Sequence, residues 1–71
     1  MPKRADVISK IEKAAKAAEL KFMQLREGAN HTIYELDGVV IPIARHRELG
    51  TRYAETIYKQ CETKLGRGWW R

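Results

Sequence analysis

The sequence predicts a small α+β domain of order α-β-β-β-α, a three-stranded antiparallel meander with two helices on one face. Three observations predict it. Apolar residues recur at helical spacing near both ends of the chain, the middle alternates with the period of a strand, and Asp37-Gly38 separates two alternating runs.

The first helix is expected over residues 7–19, with Asp6 as its N-cap. Val7, Ile8, Ile11, Ala14, Ala15 and Ala18 form its apolar stripe, while Lys10, Glu12, Lys13 and Lys16 lie off it. The alanines predict close packing against another element. The first strand is expected over 20–27, where Met23 and Leu25 alternate with Phe22, Gln24 and Arg26. Gly28-Ala29 is a turn signal, and the loop it opens accommodates two or more residues. A second strand follows over 30–36. Asp37-Gly38 then favours a two-residue type I′ turn into a third strand over 39–44. Pro42 has no N–H to give a neighbour, so this third strand belongs at an edge.

After Gly50, Thr51 is expected to cap a second helix over 52–65. Ala54, Ile57, Tyr58, Cys61 and Leu65 form its stripe, and Gly66 ends it. The tail Arg67-Gly68-Trp69-Trp70-Arg71 is basic and aromatic. Its tryptophans suit stacking on bases or on a protein, or folding back onto the second helix.

The chain has 71 residues, which predicts one domain over 1–71 with no room for a separate cofactor domain. Fourteen Lys and Arg against nine Asp and Glu give a net charge of +5, which favours phosphate-bearing partners. The charges are interspersed, as on a solvated surface, and are not gathered into one disordered basic block. Cys61 is the single cysteine, which excludes an internal disulfide and a cysteine-based metal cluster. On the helical stripe it reads as a buried, inert thiol. Met1-Pro2-Lys3-Arg4 leads into no apolar run, and no segment has the length of a membrane span. A soluble, cytoplasmic protein is expected.

The Asp37-Gly38 turn pairs Leu36 with Val39, Tyr34 with Ile41, Thr32 with Ile43, and His31 with Ala44. One face then carries Tyr34, Leu36, Val39, Ile41 and Ile43 toward the helices. The other carries His31, Ile33, Glu35, Pro42, Ala44 and, if the ladder continues, His46. With Gly28-Ala29 at the tip, Arg26 falls opposite His31; Arg45 and Arg47 flank His46, and Arg52 opens the last helix.

A histidine among fixed cations has the parts for metal-independent RNA cleavage. The imidazole takes the proton of a ribose 2′-hydroxyl, and the cations stabilise the charge growing on the phosphorane. By position alone, His31 reads more readily as an ordinary polar residue beside a turn. Other chemistries lack parts: two histidines without matched carboxylates make a poor metal site, and no Ser or Cys nucleophile stands beside His31. No glycine-rich loop opens a helix to cradle a nucleotide.

The run Arg26-Glu27-Gly28-Ala29-Asn30-His31-Thr32-Ile33-Tyr34 resembles the glycine–histidine motif of HicA-type toxins. Ile41-Pro42-Ile43-Ala44-Arg45-His46-Arg47-Glu48-Leu49 is similar to that family's third strand and following loop. Gly50-Thr51 and Ile57-Tyr58-Lys59-Gln60 are similar to the start of its last helix. The resemblance covers about residues 5–65, leaving 66–71 as a tail. It implies a double-stranded-RNA-binding-domain-like fold and an mRNA interferase of a type II toxin–antitoxin system, needing no cofactor and no metal. It also implies inhibition by a HicB-type antitoxin. The catalytic histidine of the family maps onto His31 and its motif glycine onto Gly28, with Asn30 shaping the turn. Arg26, Arg45, His46 and Arg47 are the expected RNA contacts. Ala29-Asn30 stands where many members carry Ser or Thr with a further polar residue, and Ala44 where many carry a second proline. Trp69-Trp70 has no counterpart in the motif. A non-catalytic RNA-binding module and a protein-interaction subunit are the alternative functions of such a chain.

Overall fold

Asp37 and Gly38 both hold left-handed backbone angles, with φ of 47° and 92°, as a type I′ turn requires. That turn fixes the register of the hairpin around it. In the computed structural model, which describes residues 2–71, the elements are α1 (Arg4–Ala17), β1 (Phe22–Glu27), β2 (His31–Leu36), β3 (Val39–Ala44), α2 (Thr51–Gln60) and α3 (Glu62–Leu65). The strands form one antiparallel sheet in the order β1-β2-β3. β2 and β3 pair as expected, from Leu36 with Val39 to His31 with Ala44. Pro42 lies on the edge strand opposite Ile33. Alternation from the turn makes that a non-hydrogen-bonded pair, so its missing N–H leaves no gap in the ladder.

The helices cover one face of the sheet. Val7, Ile11 and Ala15 of α1, Leu36, Ile41 and Ile43 of the strands, Leu49, and Ala54, Ile57 and Tyr58 of α2 form one core with Cys61. From β1 only Phe22 joins it, its ring stacked on Tyr34 with centroids 5.0 Å apart. Met23 and Leu25 are 43% and 46% exposed, and Leu25 sits where the β1–β2 register shifts by one residue. This bulge is the irregularity that a simple alternating pattern does not announce.

Several boundaries differ from expectation, each for a physical reason. α1 begins at Arg4 with Lys3 as its N-cap, so Asp6 lies in the first turn and does not cap. The early start comes from pairing of the N-terminal segment with the loop after β3. Arg4 N–H donates to the Arg47 carbonyl (2.9 Å) and Leu49 N–H to that of Pro2 (2.9 Å). α1 ends with Glu19 at φ 59°, Glu19 N–H donating to the Lys16 carbonyl and Leu20 N–H to that of Ala15. This Schellman-type stop delays β1 until Phe22.

Gly50, not Thr51, takes the N-cap position of α2. The expected helix over 52–65 is interrupted at Cys61. The Tyr58 carbonyl accepts the Cys61 N–H and also the Trp69 indole N–H (2.9 Å), which draws the chain out of the regular ladder. The tail thus folds back. Trp69 meets the Tyr58 ring edge-on and Trp70 stacks beside it, while Lys10 Nζ donates to the Trp70 carbonyl (2.7 Å). Among the described residues, no helix is long and apolar enough to cross a membrane.

Candidate functional site

His31 is the first residue of β2 and is half-buried. Its neighbour Thr32 is buried on the core side, so alternation places the His31 imidazole on the open face of the sheet. The imidazole takes part in none of the side-chain hydrogen bonds of the described residues; only the His31 carbonyl is engaged.

The backbone carrying this ring is held from both sides. His31 faces Ala44 across a non-hydrogen-bonded pair, so the polar groups of Ala44 point away from β2. Both find partners. Ala44 N–H donates to the Tyr53 hydroxyl (3.1 Å), and Arg4 Nε donates to the Ala44 carbonyl (3.0 Å). On the other side, the His31 carbonyl accepts the Gly28 N–H at 2.7 Å. A Cβ at Gly28 would stand 3.1 Å from that carbonyl oxygen, so glycine is what permits the close approach.

The turn between β1 and β2 has Ala29 and Asn30 at its tip, and neither adopts a positive φ. It therefore lacks the mirror-image geometry that matches strand twist unaided. Arg45 supplies the missing restraint. Its Nη1 donates to Glu27 Oε1, the Gly28 carbonyl and the His31 carbonyl, each at 2.9 Å, and its Nη2 donates to the Ala29 carbonyl. A planar fork with several fixed donors suits this task as an ammonium does not. Glu27 in turn accepts from Thr32 Oγ1 (2.9 Å), which accepts from Arg4 Nη2 (2.9 Å). Arg4, Thr32, Glu27 and Arg45 thus form one chain of hydrogen bonds linking α1, β2, β1 and the loop after β3.

Two expectations about this site need correction. Arg26 lies opposite Ile33, not His31, because the turn tip is Ala29-Asn30 and not Gly28-Ala29, so that Gly28 faces His31. Arg26 still shares the open face with His31, its partner Ile33 lying two residues farther along β2. The ladder ends at Ala44, so His46 is an exposed loop residue and no diagonal neighbour of His31. Asn30 is exposed at the turn tip, and Arg47 lines a cleft beside α1. Arg45 lies against the turn's carbonyls.

Four supports of the site, Arg4, Glu27, Thr32 and Tyr53, are not marked by any local sequence motif. One of them had a signal: Thr32 is a polar residue in the core register of a strand, and a buried hydroxyl must bring partners. Burial pushes the Cys61 thiol up to about 12, so it stays protonated and unreactive near neutral pH. Among the described residues, no three His, Cys, Asp or Glu side chains converge as ligands for a metal ion. Comparison with protein-family models, curated proteins and solved structures finds no match for this chain.

Proposed function

We propose that this chain is a HicA-type mRNA interferase, a metal-independent endoribonuclease acting as the cytoplasmic toxin of a type II toxin–antitoxin pair, with a HicB-type antitoxin as its protein partner. The observation that carries this function is the His31 imidazole, on the open sheet face, at a turn held by Gly28 and Arg45. A base is effective when its position is set in advance, and this one has no internal partner to displace.

In the proposed reaction, His31 takes the proton of a ribose 2′-hydroxyl. The 2′-oxygen attacks the adjacent phosphorus, the bond to the 5′-oxygen breaks, and that oxygen takes up a proton from water. A 2′,3′-cyclic phosphate and a 5′-hydroxyl result. Arg26, exposed on the same face of the sheet, is the cation proposed to stabilise the phosphorane. The net charge of +5 supports attraction of the polyanion.

Cleavage of a single-stranded RNA in EDTA by the wild-type chain and by His31→Ala tests this function. Loss of at least a hundredfold in rate with the variant, matched by loss of growth arrest on expression in bacteria, is the expected result. Equal cleavage by both chains would remove His31 from the chemistry. Binding without cleavage by the wild type would leave a non-catalytic RNA-binding module.

A further inference from the structure

A cleft of about 440 Å³ opens between the start of α1 and the loop after β3, lined by Lys3, Arg4, Ala5, Arg45 and Arg47. Four of its five lining residues are cationic, and no acidic side chain lines it among the described residues. Two of the cations are already committed. Arg4 holds the Ala44 carbonyl and Thr32, and Arg45 holds the turn carbonyls and Glu27. Lys3 and Arg47 are exposed and their side chains form no hydrogen bond or ion pair within the described residues. The result is a cleft walled by four cationic residues, two held by hydrogen bonds and two, Lys3 and Arg47, unpaired within the described residues. Their backbones serve the fold, but no side-chain contact within the described residues accounts for the charges of Lys3 and Arg47.

We infer that this cleft binds a backbone phosphate of the RNA strand, at a nucleotide neighbouring the one whose 2′-hydroxyl meets His31. The inference rests on the proposed nuclease function and names where its substrate is gripped. Arg45 is the physical link, since it lines the cleft and its guanidinium holds the His31 carbonyl. A strand passing over the edge of the β1–β2 turn meets the cleft on the helix side and the imidazole on the open side. The cleft adds Lys3 and Arg4 to the RNA contacts and gives Arg47 its place. Cationic side chains around a roomy groove suit a phosphodiester, which carries its charge at every residue of the strand.

The test uses the full chain carrying His31→Ala and a labelled, fully 2′-O-methylated RNA of ten nucleotides, which cannot be cut by its own 2′-oxygens. Binding is followed by fluorescence anisotropy at several salt concentrations. Lys3→Gln with Arg47→Gln is compared with Lys13→Gln and Lys59→Gln, an exposed pair on α1 and α2 that removes the same charge. The cleft pair is expected to weaken binding at least tenfold and to lower the slope of log K against log salt by about 1.4, two contacts at ~0.7 each. The control pair is expected to change binding less than threefold. Equal losses from both pairs, or no loss from the cleft pair, would overturn the inference. Inorganic phosphate is the second probe. If it fills the cleft as tightly as the oligonucleotide, by shifts of the Lys3 to Ala5 amide resonances, the site is for a free anion and the inference falls. Circular dichroism confirms that each variant is folded. Cleavage by the wild type is scored separately, so failure of the nuclease function and failure of the cleft are distinguishable.

Discussion

Nη1 of Arg45 lies 2.9 Å from the carbonyl oxygen of His31, and the same nitrogen lies 2.9 Å from that of Gly28. One guanidinium therefore closes the turn that carries the candidate base. This assigns Arg45 a positioning role, distinct from the phosphate contact suggested by the run Arg45-His46-Arg47. Its ion pair with Glu27 is largely exposed and contributes little by itself. The weight lies with the carbonyls.

Arg45→Ala is expected to lower kcat for RNA cleavage by about ten- to a hundredfold, because a loosened base loses its pre-set geometry, with a smaller rise in KM from the lost charge at the cleft. Arg45→Lys restores the charge but not the fork, so it is expected to rescue little. Amide exchange at Ala29 to His31 is expected to quicken in both variants. A raised KM with kcat preserved would instead make Arg45 a phosphate ligand.

Gly28→Ala places a methyl group 3.1 Å from the His31 carbonyl oxygen, tighter than ordinary contact. The turn must give by a few tenths of an ångström, and the Gly28 N–H bond to His31 lengthens. A stability loss of about 1–2 kcal/mol is expected by denaturant unfolding, together with reduced cleavage. Gly50→Ser is the comparison. Nothing lies within 4 Å of a Cβ at Gly50, which holds the N-cap position of α2 without a side-chain cap. A hydroxyl there is expected to leave stability unchanged or raise it by a few tenths of a kcal/mol.

Cys61 gives the fold a dependence on alkaline pH. Burial moves its thiol from an ordinary value near 9.0 up to about 12 in the folded chain. Between those values the folded state holds a proton that the unfolded state has released, so stability falls as pH rises. The contribution is whole below pH 9 and lost progressively toward 12, on the order of 2 kcal/mol by pH 10.5. Tyr58, also raised chiefly by burial, adds to the loss at the upper end of that range. Cys61→Val is expected to flatten the decline measured by urea unfolding from pH 8.5 to 10.5. An equally steep decline in the variant would assign it to other groups.

The β2–β3 hairpin was legible because each of its parts is local. Asp37-Gly38 carries the turn type in two adjacent residues, and a period-2 pattern has a single register that buries Leu36, Ile41 and Ile43 together. That register alone directs His31 to the open face. The helical stripes were legible for the same reason, and Val7, Ile11 and Ala15 are buried where the spacing put them.

The β1–β2 turn was less legible. Its two tip residues lack positive φ, and its closure depends on Arg45, fifteen residues beyond Asn30 in the chain. No local pattern encodes a guanidinium arriving from another loop. The break at Cys61 is similar, since the indole of Trp69 that draws on the Tyr58 carbonyl comes from the tail.

By itself, then, the sequence determined the order of elements, the hairpin register and the outward aim of His31, all set by periodicity and turn chemistry within a few residues. Only the tertiary structure decided what holds His31 in place. Arg4, Tyr53 and Arg45 reach the site from α1, α2 and the loop after β3, and contacts between distant segments are created by folding. The tertiary structure also brought Lys3 and Arg47 to one cleft, through backbone pairing of segment 2–4 with 47–49 that neither segment signals.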